Sequence, residues 1–279
     1  MLKLSRSNFE RLRELVYSNT GINLTFEKRE MVQGRLFRRM KQLELFSIEE
    51  YCDYLFSPEG KALELHKMLD VITTNKTDFF RENEHLVLLS ETLLNELFNS
   101  ILGKYDCLNI WSAGCSSGEE AYSIAITLEE YFKKNDRRDY TIYASDISTT
   151  MIDKGKAAIY SMTDIYGVNE SILKEYFLRS KDSEKAIVRL IPQIRNKVKF
   201  FKNNLVNDEV KKDIQMHLVF CRNVLIYFDR STQEKVVDKL VSAIVPGGYF
   251  FHGHSESLVG MNMPLKRVSP TVYKKVYGK

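Results

Sequence analysis

Residues 111–121 read WSAGCSSGEEA: a tryptophan closing an apolar run, two glycines bracketing small polar residues, then two glutamates. A glycine-rich bend between a buried strand and a helix usually cradles phosphate on the first N–H groups of the helix. This bend lacks the GxGxxG spacing of a dinucleotide site and the Lys-Ser/Thr ending of a P-loop. Glu119 and Glu120 at a helix start would repel phosphate oxygens. The ligand expected beside Gly114 therefore presents hydroxyls and positive charge. Ser117 and Glu120 also have capping-box spacing, so Glu120 either meets that ligand or satisfies a backbone N–H.

Working outward from the bend, helices and short apolar strands alternate. Helix HLVLLSETLLNELFNSIL and strand CLNIWSA precede it; helix EEAYSIAITLEEYFKK and strand YTIYASD follow. A helix around residues 149–158, strand MHLVFC, helix TQEKVVDKLVSAI and strand YFFHG continue the series. The last strand, TVYKKV, is polar at alternate positions and suits an antiparallel edge. This order predicts an α/β fold with a doubly wound sheet. EYFLRSKDSEKAIVRL breaks the alternation with two strands around a charged turn, predicting a small antiparallel β-subdomain at about 172–196, inserted before KVKFF.

Upstream, residues 1–72 read as helices throughout. The first carries Ser7 and Glu10 as a capping box and stops at Gly21. The second, EKREMVQGRLFRRMKQL, carries Val32, Leu36, Met40 and Leu43 at helical spacing. SIEEYCDYLF opens on a serine cap, and KALELHKMLDVI is a fourth amphipathic stretch. The polar segment 73–85, TTNKTDFFRENEH, reads as a linker between this helical domain and the α/β domain of 86–279.

Composition excludes several classes. No apolar run approaches the ~20 residues of a membrane helix, and the amino terminus lacks a signal-peptide apolar block. Four cysteines (Cys52, Cys107, Cys115, Cys221) form no CxxC pair, so disulfides and zinc are not expected and a reducing cytoplasm fits. The net charge of +4 does not by itself demand nucleic acid.

Other candidate residues stand at strand ends. Asp146 closes YTIYASD, where a nucleoside-binding sheet places a carboxylate for ribose hydroxyls. CRNVLIYFD puts Arg222, Asn223 and Tyr227 at the end of a buried strand. S-adenosylmethionine, with a sulfonium, an ammonium, a ribose and no phosphate, fits such an acidic site. FHGHSES sets His252, His254 and Glu256 on one strand face, a possible metal set, but no further ligands accompany it and no metal is expected. Cys221 has apolar neighbours that disfavour a thiolate.

TTNKTDFFRE, WSAGCSSGEEAYSIAI, ASDIS, NNL, CRNVLIYFD and GHSES, together and in this order, resemble the chemotaxis receptor glutamate O-methyltransferases, the CheR family. The resemblance spans essentially the whole chain and implies a Rossmann-like methyltransferase sheet. It implies methyl transfer from S-adenosylmethionine, leaving S-adenosylhomocysteine, to glutamates on the cytoplasmic helices of methyl-accepting chemoreceptors. By position, it assigns cofactor contacts to Asn75, Thr77, Arg81, Glu120, Asp146, Asn204, Leu205, Asn223 and Val224, with Gly114 in the bend. Arg81 and Tyr227 would stand near the reacting groups. Between residues 28 and 41, six basic residues face Glu30 alone, and Arg35, Arg38 and Arg39 cluster at i, i+3 and i+4. We expect that face to dock on the acidic receptor, with the protein a monomer at cytoplasmic receptor arrays. A nucleic-acid methyltransferase is the competing enzyme reading, but neither an Asn/Asp-Pro-Pro-Tyr motif nor a Pro-Cys nucleophile is present. A non-catalytic cofactor-sensing module is the third.

Overall fold

The computed structural model describes residues 3–103, 106–182, 184–209 and 214–276. The chain forms two compact units. One runs through Thr74 and takes in Tyr227–Thr232; the other comprises Asn75–Ile226 and Gln233–Lys279.

The first unit is helical. Its α1 (Arg6–Thr20) is capped by Ser5, whose Oγ accepts from Asn8 N at 3.2 Å. The expected Ser7–Glu10 box is corrected: Ser7 already lies inside the helix, whereas a cap needs the extended backbone that Ser5 has. Gly21, at φ 73°, ends the helix in the left-handed conformation. Next come α2 (Arg29–Gln42), which buries Val32, Leu36 and Met40, and α3 (Ile48–Phe56), capped by Ser47. The expected fourth helix is two, α4 (Pro58–Leu63) and α5 (Leu65–Ile72). They part at Glu64, whose carboxylate turns inward to Arg39 and to the Tyr51 hydroxyl. Gly60 permits the tight passage of α4 past α3, since a Cβ there would lie 1.9 Å from the Tyr54 carbonyl oxygen.

The second unit opens on an interrupted helix: α6 (Glu84–Leu88), a π-turn at Leu89–Leu93 and α7 (Leu94–Ser100). Its main sheet contains β1 (Leu108–Ala113), β2 (Tyr140–Asp146), β6 (Val198–Lys202), β7 (Met216–Cys221), β8 (Ile244–His252), β9 (Leu265–Ser269) and β10 (Val272–Lys275). The strand order is β6-β2-β1-β7-β8-β10-β9. Pairings among the first five are parallel; β10 runs antiparallel to both neighbours. Helices α8 (Glu119–Phe132) and α9 (Thr149–Ala157) pack on β2 and β6. In β1 and β7 every position but one is buried, as strands covered on both faces require.

Order reverses between β1 and β7. The chain steps outward from β1 through β2 to β6, then returns to lay β7 on the other side of β1. The crevice beyond the carboxyl ends of β1 and β7 is thus the topological switch point.

Two strand readings are corrected. TVYKKV is not the edge, because β9 pairs outside it. LKRVS is exposed or half-buried at every position, so it shows no buried face from which to read a strand. The small sheet is three-stranded, β3-β5-β4, rather than a hairpin. β4 (Phe177–Arg179) and β5 (Ile187–Leu190) flank the charged turn, while β3 (Ile159–Ser161) joins from upstream, just after Ala158 ends α9 at φ 52°. Helices α10 (Glu170–Tyr176) and α11 (Pro192–Arg195) flank this sheet in sequence, and α12 (Arg230–Ser242) follows β7.

Candidate functional site at the sheet switch point

The glycine bend leaves β1 held by backbone bonds. The N–H groups of Gly114 and Cys115 both donate to Ser145 O, at 2.8 and 2.9 Å. Gly114 sits at φ 80°, and a Cβ there would stand 2.4 Å from Val224 Cγ2. Two expected site residues therefore meet with no room for a side chain between them. Asp146, at the end of β2, accepts from Ser116 N at 2.9 Å with one oxygen and from Ser148 N at 2.9 Å with the other. It ties the bend to the start of α9, whose cap is Ser148.

Glu120 does not cap its helix. The N-cap of α8 is Gly118, with no side-chain bond, and Ser117 Oγ donates to the Glu119 carboxylate instead. Glu120 Oε1 accepts from Ser112 Oγ at 2.6 Å, and its Oε2 lies 3.4 Å from Arg222 Nη1. Burial raises its pKa; the Arg222 cation and the Ser112 hydroxyl oppose that rise. Burial alone dominates at Glu119, pushing it to about 7.

Arg222, just past β7, is the buried cation of this region. Its Nε and Nη2 lie 3.3 and 3.2 Å from Glu82 Oε2, and Nη2 also donates to the Arg81 carbonyl. Glu82 Oε1 accepts from Asn223 Nδ2 at 3.3 Å and His254 N at 3.4 Å. Burial raises the Glu82 pKa, but Arg222, Asn223 and the His254 N–H together carry it below the usual range. Glu256 takes the N–H groups of Val224, Leu225 and Gly253 at 2.8, 2.7 and 2.5 Å, fixing the loop after β7.

The segment beginning at Asn75 runs along this edge. Asn75 O accepts from Ser116 Oγ at 2.9 Å, and Phe80 N donates to Ser123 Oγ at 2.9 Å. The Arg81 side chain bonds Lys76 O at 3.2 Å. Thr77 is half-buried in the same stretch. Asn203 N donates to Asp146 O at 3.0 Å, which brings the next residues, Asn204 and Leu205, to the same strand ends. Asn204 Oδ1 accepts from Val206 N and Asn207 N in a local turn. Leu205 is buried. Tyr227 ends the 3₁₀ turn Leu225–Tyr227 and belongs to the helical unit, where its carbonyl accepts from Asn23 N at 2.8 Å and Lys28 Nζ stands 5.9 Å from its ring.

The three arginines of α2 do not share one free face. Arg35 donates to the carbonyls of Val71, Ile72 and Thr73 and so caps α5. Arg39 holds Glu64 through two bonds of 2.6 Å. Only Arg38 of the three is exposed. The reading of all three as a docking cluster is corrected to that extent: helical spacing placed Arg35 and Arg39 beside the apolar stripe, where buried partners take them.

The HGHSE set is also redistributed. His252 is buried with Nδ1 on its neighbour's carbonyl, and Glu256 is spent on backbone N–H groups. Glu82, His85 and His254 bring ligating atoms within 4.8 Å of one another. Glu82 is already engaged by Arg222, and that cation disfavours a second one on the same carboxylate.

Sequence reasoning passed over Glu82 altogether and did not give Arg222 or Glu256 the contacts they make. An arginine ending an apolar strand was the available signal for one of them. Nothing in spacing could pair it with a glutamate 140 positions away.

Strand-end carboxylates, a bend closed to side chains and the absence of a P-loop lysine fit a cationic nucleoside and not a nucleotide phosphate. Residues 75–274 match the family model for the CheR methyltransferase SAM-binding domain, and residues 7–73 that for the CheR methyltransferase all-alpha domain. The chain is 36% identical over 269 residues to chemotaxis protein methyltransferase 2 of Pseudomonas aeruginosa, covering 96% of this chain and 93% of that one. It is 35% identical over 272 residues to the chemotaxis protein methyltransferase of Salmonella typhimurium (98% and 91% covered). It is 34% identical over 272 residues to that of Escherichia coli K12 (98% and 92%). The family models and relatives make the chain an S-adenosylmethionine-dependent methyltransferase. The chain belongs to the CheR methyltransferase family. Among solved structures, DszA carbon methyltransferase aligns over 88% of this chain and 59% of its own, at 14% identity and a TM-score of 0.40. No helix among the described residues is long and apolar enough to cross a membrane.

Proposed function

We propose that this chain methylates glutamate side chains on the cytoplasmic helices of chemoreceptors, forming glutamate methyl esters in chemotaxis adaptation. Its relatives are chemotaxis protein methyltransferases by name, and the residues of the switch point suit the cofactor. The observation that carries the reading is the pair Glu120, in the first turn of α8, and Asp146, at the end of β2, around a bend that excludes side chains.

S-adenosylmethionine, when bound, supplies a methyl group made electrophilic by its sulfonium. In this reading Asn75, Thr77, Gly114, Glu120, Asp146, Asn204, Leu205, Asn223 and Val224 hold it. Arg81 orients a carboxylate, of cofactor or receptor, because a guanidinium fork matches that group. Tyr227 orients the incoming glutamate. A glutamate of reference pKa about 4.3 is ionised at neutral pH, so the chain needs no general base. Its task is alignment and exclusion of water. Exposed Arg38 and Lys41 on α2 supply the attraction for an acidic receptor surface. The protein acts as a cytoplasmic monomer on protein rather than nucleic acid.

The test uses tritiated-methyl S-adenosylmethionine, a receptor cytoplasmic fragment and, separately, duplex DNA. The expected product is label on the receptor that mild alkali releases as methanol, the behaviour of an ester. Alkali-stable label, or label on DNA, would overturn the reading.

A further inference from the structure

The geometry points to Arg222 as the residue that positions Arg81 for methyl transfer. This rests on the site reading above and adds a residue that reading does not use.

Arg81 lies between two residues with left-handed backbone, Phe80 at φ 55° and Glu82 at φ 50°. Neither is glycine, and left-handed backbone is strained for such residues, so the turn persists only because its surroundings hold it. The Arg81 side chain does little of the holding, with its one bond to Lys76 O. The turn is held instead by one guanidinium, through a backbone carbonyl and a side-chain carboxylate. Arg222 Nη2 donates to the Arg81 carbonyl, while Nε and Nη2 grip Glu82 next to it. Nη1 faces Glu120 across the crevice.

The Arg222 side chain is only 3% exposed, and it links the end of β7, the first turn of α8 and the turn that displays Arg81. An ammonium cannot reproduce this. Lysine offers a point charge on a flexible stem, whereas the planar fork meets three partners in fixed directions. Arg222 therefore sets where the Arg81 side chain begins, without touching the reacting groups itself.

A double-mutant cycle separates positioning from plain structural support. Single-turnover methyl transfer to receptor fragment would be measured for wild type, Arg222→Lys, Arg81→Ala and the double variant, with melting curves for each. Arg222→Lys should lose roughly tenfold or more in rate in the wild-type background. In the Arg81→Ala background the same change should cost less than about threefold, because the group it acts through is gone. An undiminished loss in that background, or no loss in the first place, overturns the proposal. If Arg222→Lys does not fold, Glu82→Gln replaces it in the same cycle, with a smaller loss and the same non-additivity expected; additive losses overturn it equally. Arg81→Ala at the wild-type rate would overturn the site reading itself, and this inference with it.

Discussion

Arg39 in the helical unit and Arg222 in the sheet unit both face buried carboxylates, and they differ in how completely they are matched. Arg39 meets Glu64 one to one, Nε to Oε1 and Nη2 to Oε2, both at 2.6 Å, with the Tyr51 hydroxyl on the same carboxylate. Every charge there is cancelled, and the pair joins α2 to the junction of α4 and α5. Arg222 serves two carboxylates, Glu82 and Glu120, at 3.2–3.4 Å. Its donors are divided between them, and Arg81 is a second cation acting on Glu120, whose pKa burial raises. The same chemistry closes a helix junction in one place and ties a strand end, a helix start and a turn together in the other. Sharing makes the difference: half-buried Arg39 serves one carboxylate, while buried Arg222 serves two carboxylates and a carbonyl.

The closed pair should be the more costly to break. Glu64→Ala leaves the Arg39 cation without its partner, and removing one half of a buried pair costs about 3–5 kcal/mol. Urea denaturation followed by circular dichroism would read this, and a loss below about 1 kcal/mol would show that the pair does not hold the helices together.

Glu119 sharpens the comparison from the other side, as a buried carboxylate whose bonds come from the Ser117 hydroxyl rather than a cation. Burial lifts its pKa from 4.5 to about 7 in the folded state. Between those values the folded chain keeps a proton that the unfolded chain has released, so this group's contribution to stability falls as pH rises through that window. Glu119→Gln should therefore stabilise the protein at pH 8, by on the order of 2 kcal/mol, and confer no gain at pH 4. An equal effect at both pH values would contradict the buried, unpaired assignment.

The exposed charges of α2 should matter least. Replacing Arg38 and Lys41 by glutamate should raise the receptor KM about two- to fivefold at low salt, with the difference shrinking as ionic strength rises. Unchanged KM at low salt would place receptor docking elsewhere.

Much of this was legible in the residues. Local signals worked where local physics decides: Gly21 as a helix stop, Ser47 as a cap, MHLVFC as a buried strand, the bend beside Gly114. Ser5 was missed because two serines offered the same chemistry and only backbone conformation distinguishes them. Strand β9 was hidden by having no buried face. In the candidate site, Asp146 could be placed at a strand end because the apolar run YTIYAS stops there. The Arg222 network could not, for it joins positions that only folding brings together. Arg35 and Arg39 misled for the same reason: a basic run shows charge, not partners.

If the switch point binds an S-adenosyl nucleoside, neutralising its strand-end carboxylate must weaken that binding. Calorimetric titration of S-adenosylhomocysteine into wild type and Asp146→Asn tests it directly, with melting curves to establish that both are folded. Charge-assisted bonds contribute roughly 1.5–3 kcal/mol, so wild type should show one site and the variant an affinity about 10- to 100-fold weaker. Equal affinity in the two folded proteins, or no binding to wild type, would contradict it.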